Sequence, residues 1–156
     1  LRMKIAYMNY YLDRKEYEKA QEYARLVERY MNGESEYECW EDFLVCYAHT
    51  NIGKALKIYK EHWKEWMELR CPMDSCETER SICIFFKELG KARKGSTVKI
   101  HYGPSFPLYR EDGQYKITEL FDFHYSRAKE IAEKFDQRNG TDYYRKKLEE
   151  SLHEDV

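Results

Sequence analysis

The side chains of this chain with the most chemical potential are its cysteines, its histidines and one glycine-flanked basic segment, and their spacing decides what each could do. Cys46 and His49 make a Cys-x2-His pair, and Cys71 and Cys76 bound a C-P-M-D-S-C loop, so four zinc ligands can be named. Zinc prefers paired short spacings on knuckle-like turns, and this loop supplies only half of such a site. Free thiols packed as small apolar groups are the better reading, and no metal is expected. No cysteine has a legible basic or dipolar setting that would lower its pKa for nucleophilic work. Residues Gly90 to Thr97 read GKARKGST, with the glycine spacing of a phosphate-binding loop but no lysine directly after the second glycine. That loop must also follow a strand and open a helix, whereas this segment follows a helix. Its cations Lys87, Lys91, Arg93, Lys94 and Lys99 read instead as a solvated helix end. His101 and His124, with Asp112 or Asp122, are the remaining acid-base set, but proton transfer demands a geometry that spacing alone does not supply. With no zincin motif, nucleophile elbow or dinucleotide fingerprint, the expectation is a protein that is not an enzyme and carries no cofactor.

Composition narrows the partners. The 156 residues suit a single domain, and 27 basic against 29 acidic residues give a formal charge of -2. No long-range field then favours nucleic acid or an anionic bilayer. Apolar runs are far shorter than the roughly 20 residues of a membrane span, and no basic-then-apolar leader opens the chain. A cytoplasmic protein is expected, and the odd, irregularly spaced set Cys39, Cys46, Cys71, Cys76 and Cys83 fits a reducing compartment. Helix-forming sequence starts at once from Leu1, which suggests the C-terminal part of a longer protein. Fifteen Tyr, 7 Phe and 3 Trp separate the chain from disordered sequences of similar polarity, because each ring buries a large area.

The positioning elements are helices. Leu1, Ile5, Met8 and Leu12 form one stripe, and Tyr17, Ala20, Ala24, Val27 and Met31 form a second. Asp13 with Glu16 reads as a capping box between them, and Gly33 as the C-terminal stop of the second. Ser35 with Glu38 caps a third helix through Trp40, Phe43, Leu44 and Tyr47, and a turn at Asn51 and Gly53 leads into Ile52, Ala55, Leu56, Tyr59, Trp63 and Trp66. Asp74 or Ser75 is expected to cap a fifth helix with Ile82, Phe85, Phe86 and Leu89 inside, ending between Gly90 and Gly95. Residues 96–117 break the pattern: Thr97, Val98, Ile100 and Tyr102 have strand character, Pro104 and Pro107 exclude helix, and Asp112-Gly113 is a turn. A short β-hairpin or ordered loop follows. Phe121, Tyr125, Ala128, Ala132 and Phe135 then mark a helix that closes at Gly140, and Thr141 caps a last one through Leu148 and Leu152.

Tyr17, Ala20, Ala24, Val27 and Ile52, Ala55, Tyr59 superpose at an offset of 35 residues. With Met8 and Tyr11 before the first set, and Trp40 and Tyr47 before the second, residues 1–72 resemble the tetratricopeptide-repeat family, whose period is roughly 34. Ala20 and Ala55 look like its close-packing positions. Met8 stands where the family has a small residue, Pro72 comes later than its pattern places it, and residues 96–117 interrupt a third unit. The resemblance implies a mainly α fold of stacked antiparallel helix pairs, an α-α superhelix over residues 1–156, whose groove binds a protein or peptide. Tyr7, Asn9, Tyr10, Tyr11, Trp40 and Tyr47 are the residues expected to serve that partner, since tyrosine and tryptophan anchor interfaces. Pairing of two copies through exposed aromatics is the competing use. A sensor or regulatory half of a larger signalling protein or transcription regulator is the alternative role, and an enzyme using the hairpin region the outside one.

Overall fold

A computed structural model describes residues 2–31, 40–94 and 96–153. Its elements run α1 (Arg2–Asp13), α2 (Tyr17–Met31), α3 (Trp40–Thr50), α4 (Ile52–Met67), α5 (Pro72–Ala92), β1 (Thr97–Lys99), β2 (Gln114–Lys116), α6 (Ile117–Asn139) and α7 (Tyr143–Leu152). The protein is mainly helical with one small antiparallel hairpin. Consecutive helices pack as pairs, α1 with α2, α3 with α4, α5 with α6, and α7 closes on α6. The odd-numbered helices also touch in a row, α1 with α3, α3 with α5, α5 with α7.

Helix ends differ from the sequence expectation in instructive ways. Asp13 is the last residue of α1 rather than a cap for α2. The chain turns through Lys15 at φ 59, while Glu16 N bonds Tyr11 O at 2.9 Å and Lys15 N bonds Leu12 O at 3.0 Å. That pair of bonds is a Schellman ending, with lysine in the left-handed position usually held by glycine. Asn51 caps α4, its side-chain oxygen accepting from Lys54 N at 3.2 Å. Helix α5 begins at Pro72, not after Asp74 or Ser75, because proline at the first helical position has φ already set and lacks only an amide that would be unpaired anyway. Ser75 is buried. Gly140, at φ 63, ends α6 as expected. The expected features at Gly33, Ser35, Glu38 and Cys39, and also Leu1 and Gly95, lie outside the described residues.

Strands β1 and β2 pair Thr97 with Lys116, Val98 with Tyr115 and Lys99 with Gln114. Ile100 and Tyr102, expected in a strand, lie beyond it, yet they are buried together with Phe106. The connection therefore folds inward as part of the core. Tyr102 stacks on Phe106 with ring centres 3.6 Å apart, and Trp63 meets Tyr102 edge-on at 4.9 Å. These apolar faces join α4 and α6 into one continuous core running from Met8 to Leu120. A smaller cluster of Cys83, Ala128 and Leu148 sits under α7. Gly90, read above as a helix-end signal, lies inside α5, where an added Cβ would stand 3.6 Å from Ile117. That is an ordinary contact distance, so the crossing of α5 and α6 would admit a small side chain there.

Candidate functional site

A cleft of about 770 Å³ opens along the row of odd-numbered helices. Asn9, Leu12 and Asp13 reach it from α1, Asp42, Val45 and His49 from α3, Arg80, Ile84, Lys87, Glu88 and Lys91 from α5, and Lys147, Glu150 and Ser151 from α7. Each helix contributes residues three or four apart, the spacing that places side chains on one face. The lining is polar and carries both signs of charge.

At the α1 and α3 side, Asn9 hydrogen-bonds the Asp42 carboxyl, whose pKa is raised, first by burial, with Arg80 pulling the other way. From α5, Arg80 donates to Glu77 at 2.7 Å and to Ser151 at 3.1 Å, and Lys147 donates to the second Glu77 oxygen at 3.1 Å. Burial opposes ionisation of Glu77, but Arg80 and Lys147 outweigh it and hold the carboxyl below its ordinary value. The Nε of Arg80 is buried without a hydrogen-bond partner among the described residues. Lys87 donates to the Leu152 carbonyl and so fixes the end of α7 against α5.

His49 sits deeper. Its Nδ1 lies 2.9 Å from the Val45 carbonyl, which can only accept, so this nitrogen carries the proton. Its Nε2 faces Glu88 at 3.6 Å, Glu88 takes a second contact from Lys91 at 3.1 Å, and the ring stacks on Tyr17 with centres 3.7 Å apart.

A second polar constellation is sealed inside. Glu79 on α5 accepts from Arg127 Nε at 2.8 Å and lies 2.7 Å from His124 Nδ1. His124 Nε2 lies 2.8 Å from the Tyr59 hydroxyl, which lies 2.9 Å from that of Tyr102. An ionised carboxylate only accepts, so His124 carries a proton on Nδ1, and its Nε2 is joined through the Tyr59 hydroxyl to that of Tyr102. Burial works against Glu79 ionising, yet His124 and Arg127 hold its pKa below the usual value. Burial pushes both tyrosine hydroxyls well above theirs. The chain of bonds ties α4, α5, α6 and the hairpin connection together, and no solvent reaches His124.

The residues singled out from sequence divide among these places. Only Asn9 of the six partner-binding candidates lines the cleft. Tyr7 and Tyr11 both stack on Tyr23 of α2, at 5.4 and 5.7 Å, with Tyr10 edge-on to Tyr11, so these rings gather between α1 and α2 rather than at the cleft. Trp40 stacks on His62 at 4.7 Å. Tyr47 is 1% exposed, its hydroxyl donating to Glu28 at 3.0 Å. His101 is exposed and His124 fully buried, so they do not form a pair facing one space. Asp112 accepts from Gln114 N at 3.0 Å as a turn residue, and Asp122 is exposed. Cys46 and Cys76 are buried and Cys71 exposed, and no group of three or more histidine, cysteine or carboxylate side chains that could hold a metal forms among the described residues. Sequence reasoning missed the charged lining of the cleft. Arg80, Lys87 and Glu88 have the spacing of one helix face, but they read as solvated surface until α3 and α7 flank them.

No family model, curated protein or solved structure matches this chain. No helix among the described residues is long and apolar enough to cross a membrane.

Proposed function

We propose that this chain is a non-catalytic interaction module, a helical stack of tetratricopeptide-like kind that receives a segment of a partner protein or peptide in the cleft along α1, α3, α5 and α7. The observation that carries this reading is the cleft itself, lined by one helix from each successive unit. Stacked helix pairs generate such elongated surfaces by repetition. Its volume lies in the range of sites that take small ligands or a few residues of peptide. Its polar lining favours a partner with side chains of both charges over an apolar helix. The buried Glu79 and His124 support the non-catalytic reading, since this acid-base pair is closed to any substrate.

The test is selection of binders from a random peptide library on the purified chain, followed by NMR mapping. Peptides that perturb amides near Asn9, Asp42, His49 and Lys91, and lose affinity at least tenfold against Lys91→Glu, support the reading. Failure to recover binders, or perturbation confined to other surfaces, sinks it.

A further inference from the structure

A row of aliphatic side chains crosses the charged cleft. Leu12 of α1, Val45 of α3 and Ile84 of α5 line it, one from each successive odd-numbered helix, and each is half-buried. Their register follows from the polar contacts on either side. Asn9 bonds Asp42 and the Arg80 charge acts on the same carboxyl, whereas about two turns further along His49 faces Glu88 at 3.6 Å. Leu12 is three residues past Asn9, Val45 is three past Asp42, and Ile84 is midway between Arg80 and Glu88, so the three fall in line across the helices. Leu12 also packs on the core, but Val45 and Ile84 belong to neither core cluster among the described residues. Their apolar surface faces the cleft, and covering it is favourable.

The charges beside the row are already engaged. Arg80 is held by Glu77 at 2.7 Å and Ser151 at 3.1 Å, and Glu88 by Lys91 at 3.1 Å. Such balanced flanks complement a segment whose own charges balance, and leave the uncovered row as the feature that selects. Dimensions then decide the conformation of the occupant. The row is one helical turn wide, about 5.4 Å, and three helices spaced roughly 8 to 10 Å apart make it close to ~20 Å long. A helix, about 10 to 12 Å across with its side chains, is too broad to lie along it. An extended chain sends every second side chain the same way, about 7 Å apart, and so matches both length and width. We propose that the cleft selects an extended segment with aliphatic side chains at every second position, laid across Leu12, Val45 and Ile84, with balanced charges between them. This specificity rests on the interaction role proposed above and narrows it.

The probe is a fluorescein-labelled heptapeptide with valine at every second residue and glutamate and lysine alternating between them, set against a peptide of the same composition whose valines are adjacent. Fluorescence anisotropy with the whole chain should give the alternating peptide an affinity at least tenfold higher. Ile84→Asn should weaken its binding about tenfold and Val45→Thr about threefold, in step with the apolar surface removed. Threonine keeps the shape of valine, and the comparison of the two peptides needs no variant at all. Equal affinity for both peptides, or a preference that survives both substitutions, overturns the proposal. Library-selected peptides that map to the cleft yet lack the alternation overturn it while leaving the interaction role standing. Absence of any peptide bound at the cleft sinks both.

Discussion

His124 Nδ1 lies 2.7 Å from Glu79 Oε2, and both side chains are withdrawn from solvent at the crossing of α5 and α6. The contact spans 45 residues of sequence, and through Tyr59 and Tyr102 it reaches α4 and the hairpin connection. Removing one member of such a buried pair leaves the other uncompensated. Glu79→Ala should therefore destabilise the protein by about 3 to 5 kcal/mol, read by urea unfolding. A loss below 1 kcal/mol would mean that the pair relaxes to solvent on truncation.

The same carboxyl gives the stability a pH dependence. Its folded pKa is depressed below the ordinary 4.5, so the folded state binds its proton less readily than the unfolded chain does. The contribution is fully present above that ordinary value and disappears as pH falls through the folded pKa. Glu77, depressed by Arg80 and Lys147, adds in the same direction. Unfolding free energy measured between pH 6 and 3 should fall, and the fall should be shallower in Glu79→Gln. Parallel acid limbs in the two proteins would assign the effect elsewhere.

The positions of the two tyrosines in this chain predict unequal costs for two similar substitutions. Tyr59→Phe strips the partner from both His124 Nε2 and the Tyr102 hydroxyl, and should cost about 2 to 3 kcal/mol. Tyr102→Phe removes a single partner, that of the Tyr59 hydroxyl, and should cost about 1 kcal/mol. Chemical denaturation of the two variants side by side decides, and a reverse order would show that Tyr59 is not the central link of the chain.

Lys15 occupies a left-handed position that suits glycine better. Lys15→Gly should raise stability by about 0.5 to 1 kcal/mol, the relief of backbone strain exceeding the added chain entropy of glycine. A drop in melting temperature would show that contacts of the lysine side chain dominate.

Thiol reactivity follows burial. Burial pushes the Cys46 thiol up to about 12 and raises Cys76 and Cys83 as well, whereas Cys71 is exposed. Iodoacetamide at neutral pH should label Cys71 in the folded protein and reach Cys46, Cys76 and Cys83 only after denaturation, as mass spectrometry of tryptic peptides would show. Rapid native labelling of Cys83 would contradict the packing under α7.

The helices were legible in the sequence because period and burial coincide. Ala20, Ala24 and Val27, or Ile82, Phe85 and Phe86, repeat as a helix does and are all buried. Ends were less legible, since they depend on which of several competent residues acts. Thr141 was the expected cap of α7, and it does accept from Tyr143 N at 3.2 Å. The larger share falls to Asp136 of the preceding helix, whose two oxygens accept from Tyr144 N and Arg145 N at 2.9 Å each. No local pattern announces a cap delivered from another helix. On α6 the expected stripe through Phe121 and Tyr125 is displaced toward Leu120 and His124, because a histidine satisfied at both nitrogens packs where spacing alone would place an apolar residue. The cleft was hidden for a related reason: its residues are charged, and only the neighbouring helices turn a charged face into a wall.

The inward-folded hairpin connection has a consequence for how the protein comes apart. Tyr102 and Phe106 are held by Tyr115 and by Trp63, about 40 residues earlier in the chain, whereas α1 and α2 are joined through a three-residue turn and touch each other more than they touch α3. The segment from α4 to α6 must open as a single cooperative unit, while the first pair can detach and reattach with the rest still native. Amide exchange would see two tempos in one molecule, with the first pair keeping the faster one.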